Sequence, residues 1–412
     1  MSDDGPIQPV VIPYPALLNS DPSLPALVQK GFDSSPDSLG LVIVSDLPPE
    51  FPQLRRRLLL LSNAFASLPE ETREKYAHPA SHFSYGWSHG KEVMNGKPDT
   101  LKGSYYNNPS QDLTPGLHDG DAPVANIWPE EAGVEGYEAA FKELCALMVR
   151  IGELVGAACD QLVGRTASSK TVAQLVKESC ASKARLLHYF PRDDTSFSLP
   201  PSSSVPDEPY KPEDVDDSWC GTHIDHSLLT VLCPSLYLFH PTEPPPTGAA
   251  LEPLVIPAPA RSTGLFIKTR GGKVVQASIP EDCVALQTGE TVELLTNRRL
   301  AATPHFVNAT AATLGRKALE AVERKKQAEP ETWGQVESGK VTRETLAVFL
   351  QPNHDEVVAD DGETFGQFSA RVFKRHYDEA APVQQASPSH LSAPGIDASA
   401  DSVLETRDTA RP

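Results

Sequence analysis

Trp219-Cys220-Gly221-Thr222-His223-Ile224-Asp225-His226, continuing as Ser227-Leu228-Leu229-Thr230-Val231-Leu232-Cys233, is the stretch whose reading decides the fold. Side chains at i and i+2 of a β-strand point to one face. If residues 222–233 form one strand, His223 and Asp225 can reach a common ion, and the apolar, β-branched end of the run enters a buried sheet. A His-x-Asp triplet alone is a weak signal. It gains weight from Thr303-Pro304-His305-Phe306-Val307, a short strand-like run after a turn at residues 297–299, which can bring a second imidazole. Two neutral imidazoles and one carboxylate on one side of Fe(II) leave adjacent positions open for a bidentate ligand and dioxygen. His226 faces away from Asp225 by the same alternation and is read as a structural or rim residue.

Outward from this stretch the chain reads as short strands between glycine-bearing turns. Residues 264–268 and 274–277 flank a turn at 270–273. Residues 283–287 and 291–295 flank a second turn at Thr288-Gly289-Glu290. Regular short strands of this kind indicate an antiparallel barrel or jelly roll. Farther on, Arg343-Glu344-Thr345 opens the apolar run Leu346-Ala347-Val348-Phe349-Leu350. Arg343 and Thr345 are again i and i+2, so a planar guanidinium fork and a hydroxyl share one strand face. That is a pairing suited to a carboxylate.

In the order of these pieces the chain resembles the isopenicillin N synthase-like branch of the Fe(II)/2-oxoglutarate-dependent dioxygenases. The likeness runs from about residue 8 to residue 377. It includes amino-terminal stretches such as Leu41-Val42-Ile43-Val44, Leu68-Pro69-Glu70-Glu71 and Tyr85-Gly86-Trp87-Ser88-His89-Gly90-Lys91. The resemblance implies a mixed α+β fold that is mainly β, with a double-stranded β-helix (jelly-roll) core flanked by amino-terminal helices and a carboxy-terminal helix. It implies that His223, Asp225 and His305 bind Fe(II), that Arg343 pairs with the distal carboxylate of 2-oxoglutarate, and that Thr345 hydrogen-bonds it. Serine is usual at the last position, and threonine keeps the hydroxyl. The implied reaction consumes O2, converts 2-oxoglutarate to succinate and CO2, and oxidises a small organic substrate.

One stretch departs from the pattern. Ala184-Arg185-Leu186-Leu187-His188-Tyr189-Phe190-Pro191 resembles the family strand that ends Asn-x-Tyr-Pro. Counted back from Pro191, the tyrosine position is Phe190, which cannot donate, and the asparagine position is His188. On this count Tyr189 faces away from the co-substrate. Losing one hydrogen bond to a charged group is worth about 1.5–3 kcal/mol. His188 either lines the site or sits satisfied in the barrel wall.

The rest of the chain supplies the frame. Residues 8–16 read as an extended segment joining the sheet. Residues 50–68 read as a helix with Leu54, Leu58, Leu61 and Phe65 on one stripe. Residues 135–162 read as a long helix burying Phe141, Leu144, Met148, Ile151, Val155, Ala158 and Leu162. Residues 171–180 form a shorter helix, and Thr364 with Gln367 matches a capping box opening a last helix through residue 377, with Phe365, Phe368 and Val372 docked on the barrel. Residues 193–217, 240–263 and 311–340 are insertions, the last holding a solvated helix over 316–329. The domain reading is 1–165 amino-terminal helical region, 166–380 jelly-roll region and 381–412 disordered tail. His240, His354 and His376 fall in loop or helix contexts without chemistry, and Arg298 and Arg299 are solvated at their turn. Trp87, Tyr85 and Tyr105 either line the substrate side or pack the core.

Composition bounds the function. The net charge of −19 over 412 residues argues against nucleic-acid binding, which needs lysine and arginine clusters. Six cysteines without a Cys-x-x-Cys pair suit reduced thiols in the cytoplasm. No apolar run reaches the ~18 residues of a membrane span, and the start has no apolar segment of a signal peptide. The expected partner is a small-molecule substrate, with no nucleic acid, no membrane and a monomeric chain. Three readings stand at this point. The first is the 2-oxoglutarate oxygenase. The second is a same-fold iron oxidase that needs no 2-oxoglutarate and uses the arginine pair for its own substrate's carboxylate. The third is a non-catalytic jelly-roll binding protein.

Overall fold

The computed structural model describes residues 8–36, 38–94, 97–116, 122–191, 196–205, 219–242, 251–259, 263–308 and 314–378. Its centre is a large sheet in the order Val10–Pro13, Leu41–Ser45, Val284–Thr288, Leu229–Leu232, Ser338–Leu350, Lys183–Tyr189, Lys102–Asn107 and Gly86–His89. The first pair is parallel and the others are antiparallel. The strand Leu236–Pro241 pairs with the first half of Ser338–Leu350. A second sheet of four strands runs Cys220–His223, His305–Asn308, Gly264–Lys268 and Val274–Gln276. A cavity between the sheets is lined by Leu187 and Thr345 from the first and by Leu265 and Val307 from the second. This is the jelly roll expected, with helices on the outer face.

The thirteen-residue strand Ser338–Leu350 holds the molecule together because it is covered on both faces. Leu346, Val348 and Leu350 are buried in the main core with the helix Tyr137–Val163, whose Phe141, Leu144, Met148, Ile151, Val155 and Ala158 are buried at helical spacing. Gly152 permits the close approach: a Cβ there would lie 2.1 Å from Leu350 Cδ1. The helix Phe51–Ala66 buries Leu58 and Phe65 in the same core. The last helix, Phe365–Asp378, opens on the expected reciprocal cap, with Thr364 N donating to Gln367 Oε1 at 2.9 Å and Gln367 N to Thr364 Oγ1 at 3.3 Å. Phe365, Phe368 and Val372 are buried in a small cluster of their own.

Several sequence readings need correction. Residues 222–233 are not one strand. Cys220–His223 ends at His223 in the second sheet, and the chain crosses through 224–228 to resume as Leu229–Leu232 in the first. Residues 291–295 are not a strand but part of the helix Glu290–Leu295. Val292 and Leu295, three apart, are both fully buried, and Glu290 and Glu293 place acid in its first turn, where the helix dipole favours it. The helix Arg316–Ala328 is not simply solvated, for Ala318, Leu319 and Val322 are buried beside Trp333. His240 lies on the strand Leu236–Pro241 rather than in a loop, with Nε2 3.0 Å from Thr342 Oγ1. The tail over 381–412 lies outside the described residues. Among the described residues no helix is long and apolar enough to cross a membrane.

Candidate metal centre and anion pocket

His223 and His305 are directly paired across the second sheet, with ring centroids 4.3 Å apart. Asp225 lies two residues into the crossover, where its Oδ1 is 3.7 Å from His223 Nε2 and 3.7 Å from His305 Nε2. All three donor atoms fall within 4.8 Å of one another. A first-row ion would close this triangle with small contractions, to bonds of about 2.0–2.2 Å. The spacing that sequence suggested is therefore realised by a strand end and a turn, not by strand alternation. The helix Glu290–Leu295 pins that turn: Glu290 N donates to Asp225 O at 2.7 Å, and Gly289 N donates to Leu228 O at 3.1 Å. Gly289 has no substitute, since a Cβ would meet Ser227 O at 2.1 Å.

The surroundings orient each donor outward to a common point. His223 Nδ1 is 2.7 Å from Gly221 O, which leaves Nε2 bare. Thr230 donates to Asp225 Oδ2 at 2.7 Å, which leaves Oδ1 for the ion. His305 Nδ1 is 2.6 Å from Gln287 Nε2, while Gln287 Oε1 is buried without a partner. Turned about, that amide would offer its oxygen to the Nδ1–H of a neutral, Nε2-ligating imidazole. Burial, helped by the neighbouring His223, pushes His305 down to about 4, so it is neutral at pH 7. Asp225 is held below the ordinary carboxylate value: burial opposes ionisation, but the two imidazoles and Thr230 outweigh it. His223 goes the other way, to about 9, because Cys220 and Asp225 overcome the effect of burial.

Arg343 lies in the same cavity, which encloses about 240 Å³. Its cross-strand partners are Tyr189 on one side and Tyr237 on the other. The guanidinium lies over the Tyr189 ring, 4.6 Å from its centroid. Burial would lower its basicity, yet Tyr189 and Tyr237 hold it above the ordinary value. Two of its nitrogens, Nε and Nη1, are buried with no hydrogen-bond partner. A buried cation with unspent donors is costly unless an anion completes it. Thr345 lines the same wall, its hydroxyl donating to Cys233 O at 3.1 Å.

Tyr189 overturns the reading of residues 184–191. Cross-strand pairing puts Tyr189 opposite Arg343 and Leu187 opposite Thr345, so Arg185, Leu187 and Tyr189 face the cavity. The cavity face therefore falls one residue earlier than a count from Pro191 places it. Phe190 turns outward against His89 and His188, and Tyr189 takes the place on the cavity wall beside Arg343. His188 belongs to the wall, where its Nδ1 is 2.7 Å from the fully buried Glu344. His226 is apart from the donor triangle, 3.1 Å from Glu290. Trp87 and Tyr105 pack around Phe65 in the core, with ring centroids 5.4 Å and 4.9 Å away, and with Tyr85 are not among the cavity-lining residues. Sequence reasoning missed Gln287, Thr230 and Tyr237. Only register reveals them: Tyr237 is the cross-strand neighbour of Arg343, and Thr230 and Gln287 are cross-strand neighbours of each other that reach Asp225 and His305.

No family model and no curated protein matches the chain in sequence. Solved structures match its fold. A full-length Neurospora crassa protein in complex with alpha-KG is 17% identical over 87% of this chain and 89% of that one, with a TM-score of 0.53. A Caulobacter crescentus protein assigned to the 2OG-Fe(II) oxygenase family is 18% identical over 88% and 98%, with a TM-score of 0.54. JOX2 in complex with 2OG, Fe and JA is 13% identical over 90% and 89%, with a TM-score of 0.51. The chain thus has the fold of Fe(II)/2-oxoglutarate oxygenases.

Proposed function

We propose that this protein is an Fe(II)- and 2-oxoglutarate-dependent oxygenase that oxidises a small organic substrate and releases succinate and CO2. One observation carries the reading: three converging metal donors share a cavity with a buried guanidinium that has two unpartnered donor nitrogens. His223, Asp225 and His305 would hold the iron, and the donor set fits it. Bound iron supplies the activation of dioxygen that couples decarboxylation of 2-oxoglutarate to substrate oxidation. The chain's own residues do the rest. Arg343 receives the distal carboxylate of 2-oxoglutarate, Tyr189 and Tyr237 steady the guanidinium, and Thr345 turns its hydroxyl from Cys233 O to the same carboxylate. Leu187, Leu232, Leu265, Val307 and Phe349 keep the cavity apolar between the two ends. Tyr189 beside Arg343 removes the ground for an oxidase that dispenses with 2-oxoglutarate.

Residues 1–165 are taken as the supporting amino-terminal region and 166–380 as the catalytic region. A monomer is favoured by exposed large apolar residues that are scattered singly among the described residues, at Val11, Leu18 and Leu113. A cytoplasmic setting is favoured by six free cysteines.

Anaerobic Fe(II) with 2-oxoglutarate should give a weak visible charge-transfer band that disappears in His223→Ala. Iron binding without the band would remove 2-oxoglutarate from the proposal, and absence of iron binding would remove the enzyme.

A further inference from the structure

Arg185 lines the cavity apart from the metal donors and Arg343, and its guanidinium is only partly used. Nε and Nη2 donate to Ser104 Oγ at 2.9 and 2.8 Å, and Nη2 also donates to Glu92 Oε1 at 2.7 Å. The group lies over the Tyr106 ring, 4.9 Å from its centroid. Nη1 makes no hydrogen bond to any described residue and is not sealed in the protein. Two residues back on the same strand face stands Lys183. Its cross-strand partner is Phe349, which lines the cavity, and the partner of Phe349 is Thr230, the residue that holds Asp225. Strands about 4.8 Å apart set Lys183 about 10 Å across the sheet from Thr230. That is the span of a ring-sized or short-chain molecule.

Lys183 stands apart from the other basic groups around it. Glu92 and Asp99 answer Arg185 and Lys102. Arg343 and the iron with Asp225 would be neutralised by the two carboxylates of 2-oxoglutarate. Glu281, the other acid lining the cavity, is exposed and reaches Arg55. Lys183 has no acid and no hydrogen-bond acceptor among the described residues; its ammonium lies 5.5 Å from the centroid of the Tyr85 ring. Burial alone lowers its pKa to about 8, so it is still mostly charged at pH 7. In a chain of net charge −19, a half-buried lysine with no acid among the described residues, on the strand face of a guanidinium with a spare edge, offers donors to an anion.

We propose that Lys183 and the free Nη1 edge of Arg185 recognise a carboxylate on the oxidised substrate, so that the substrate is a small monoanionic organic acid with an apolar or aromatic body against Tyr106 and Phe349. This rests on the oxygenase reading for what happens to the acid, but not for its binding. The test is calorimetric titration of the full chain with benzoate, phenylacetate and 3-phenylpropionate, each beside its carboxamide, with and without anaerobic Fe(II) and 2-oxoglutarate. At least one acid should bind, and its amide at least about tenfold more weakly, as expected for loss of a charged hydrogen bond. Lys183→Met should weaken that acid at least about tenfold while leaving its amide and 2-oxoglutarate unchanged. Arg185→Lys, which keeps the charge but loses the second donor edge, should weaken it severalfold.

The proposal is overturned if acid and amide bind alike, if Lys183→Met binds the acid as the parent does, or if none of the three acids binds. It is also overturned if 2-oxoglutarate displaces the acid, which would place it at Arg343. Lys183-dependent acid binding in a protein that gives no charge-transfer band would keep this inference and sink the oxygenase. A band without acid binding would do the reverse.

Discussion

Replacing Arg343 by methionine separates a ligand-binding arginine from a structural one. In the ligand-free protein the guanidinium is buried with Nε and Nη1 unpartnered, and each such group costs about 1–3 kcal/mol. Methionine fills similar space against Tyr189 and carries no charge. Arg343→Met should therefore be as stable as the parent or more so, by about 1–3 kcal/mol, an upward shift of a few degrees in Tm. Affinity for 2-oxoglutarate should move the other way. Two charge-assisted hydrogen bonds at about 1.5–3 kcal/mol each imply a loss of about 10²- to 10⁴-fold. Thermal scans with and without 2-oxoglutarate, together with titration of the charge-transfer band, measure both. A variant that melts several degrees lower without ligand, or that binds 2-oxoglutarate within threefold of the parent, would assign Arg343 to the frame and take it out of ligand binding.

Thr230→Val should loosen Asp225 and weaken Fe(II) by about 10–100-fold, read by metal titration, with little change in melting. Glu344→Ala should cost about 3–5 kcal/mol in urea denaturation, since it strands His188 and Asn63, which sit 2.7 and 2.9 Å from the lost carboxylate. Lys183 titrates at about 8 in the folded chain and near 10.5 unfolded, so the unfolded chain holds more protons between those values. Stability from this group therefore rises as pH climbs from about 8 to about 10.5. Lys183→Met should be the more stable protein at pH 7.5 and should lose that advantage by pH 10.5, measured by urea midpoints.

The barrel, the three candidate metal donors, Arg343 and Thr345 were legible because each rests on local pattern: residue type, short spacing, and apolar runs cut by turns. The long helix was legible for the same reason, its apolar residues repeating at helical spacing. Residues 291–295 misled because a short, largely apolar run after a glycine fits a strand as well as a helix. Only the buried pair Val292 and Leu295 distinguishes them. Tyr189 misled because its face was counted from Pro191 rather than from the strand beside it, and register is a tertiary property. Gln287 and Tyr237 carry no sequence signal at all, since their meaning comes from which strand lies next door.

Asp225 sits on the short crossing, residues 224–228, that carries the chain from the smaller sheet to the larger, while His223 and His305 belong wholly to the smaller sheet. An ion shared by the three is therefore a clasp across the seam of the barrel. Chelation should unfasten that seam locally, speeding amide hydrogen exchange in Cys220–His223 and His305–Asn308 while the strand Ser338–Leu350 stays protected.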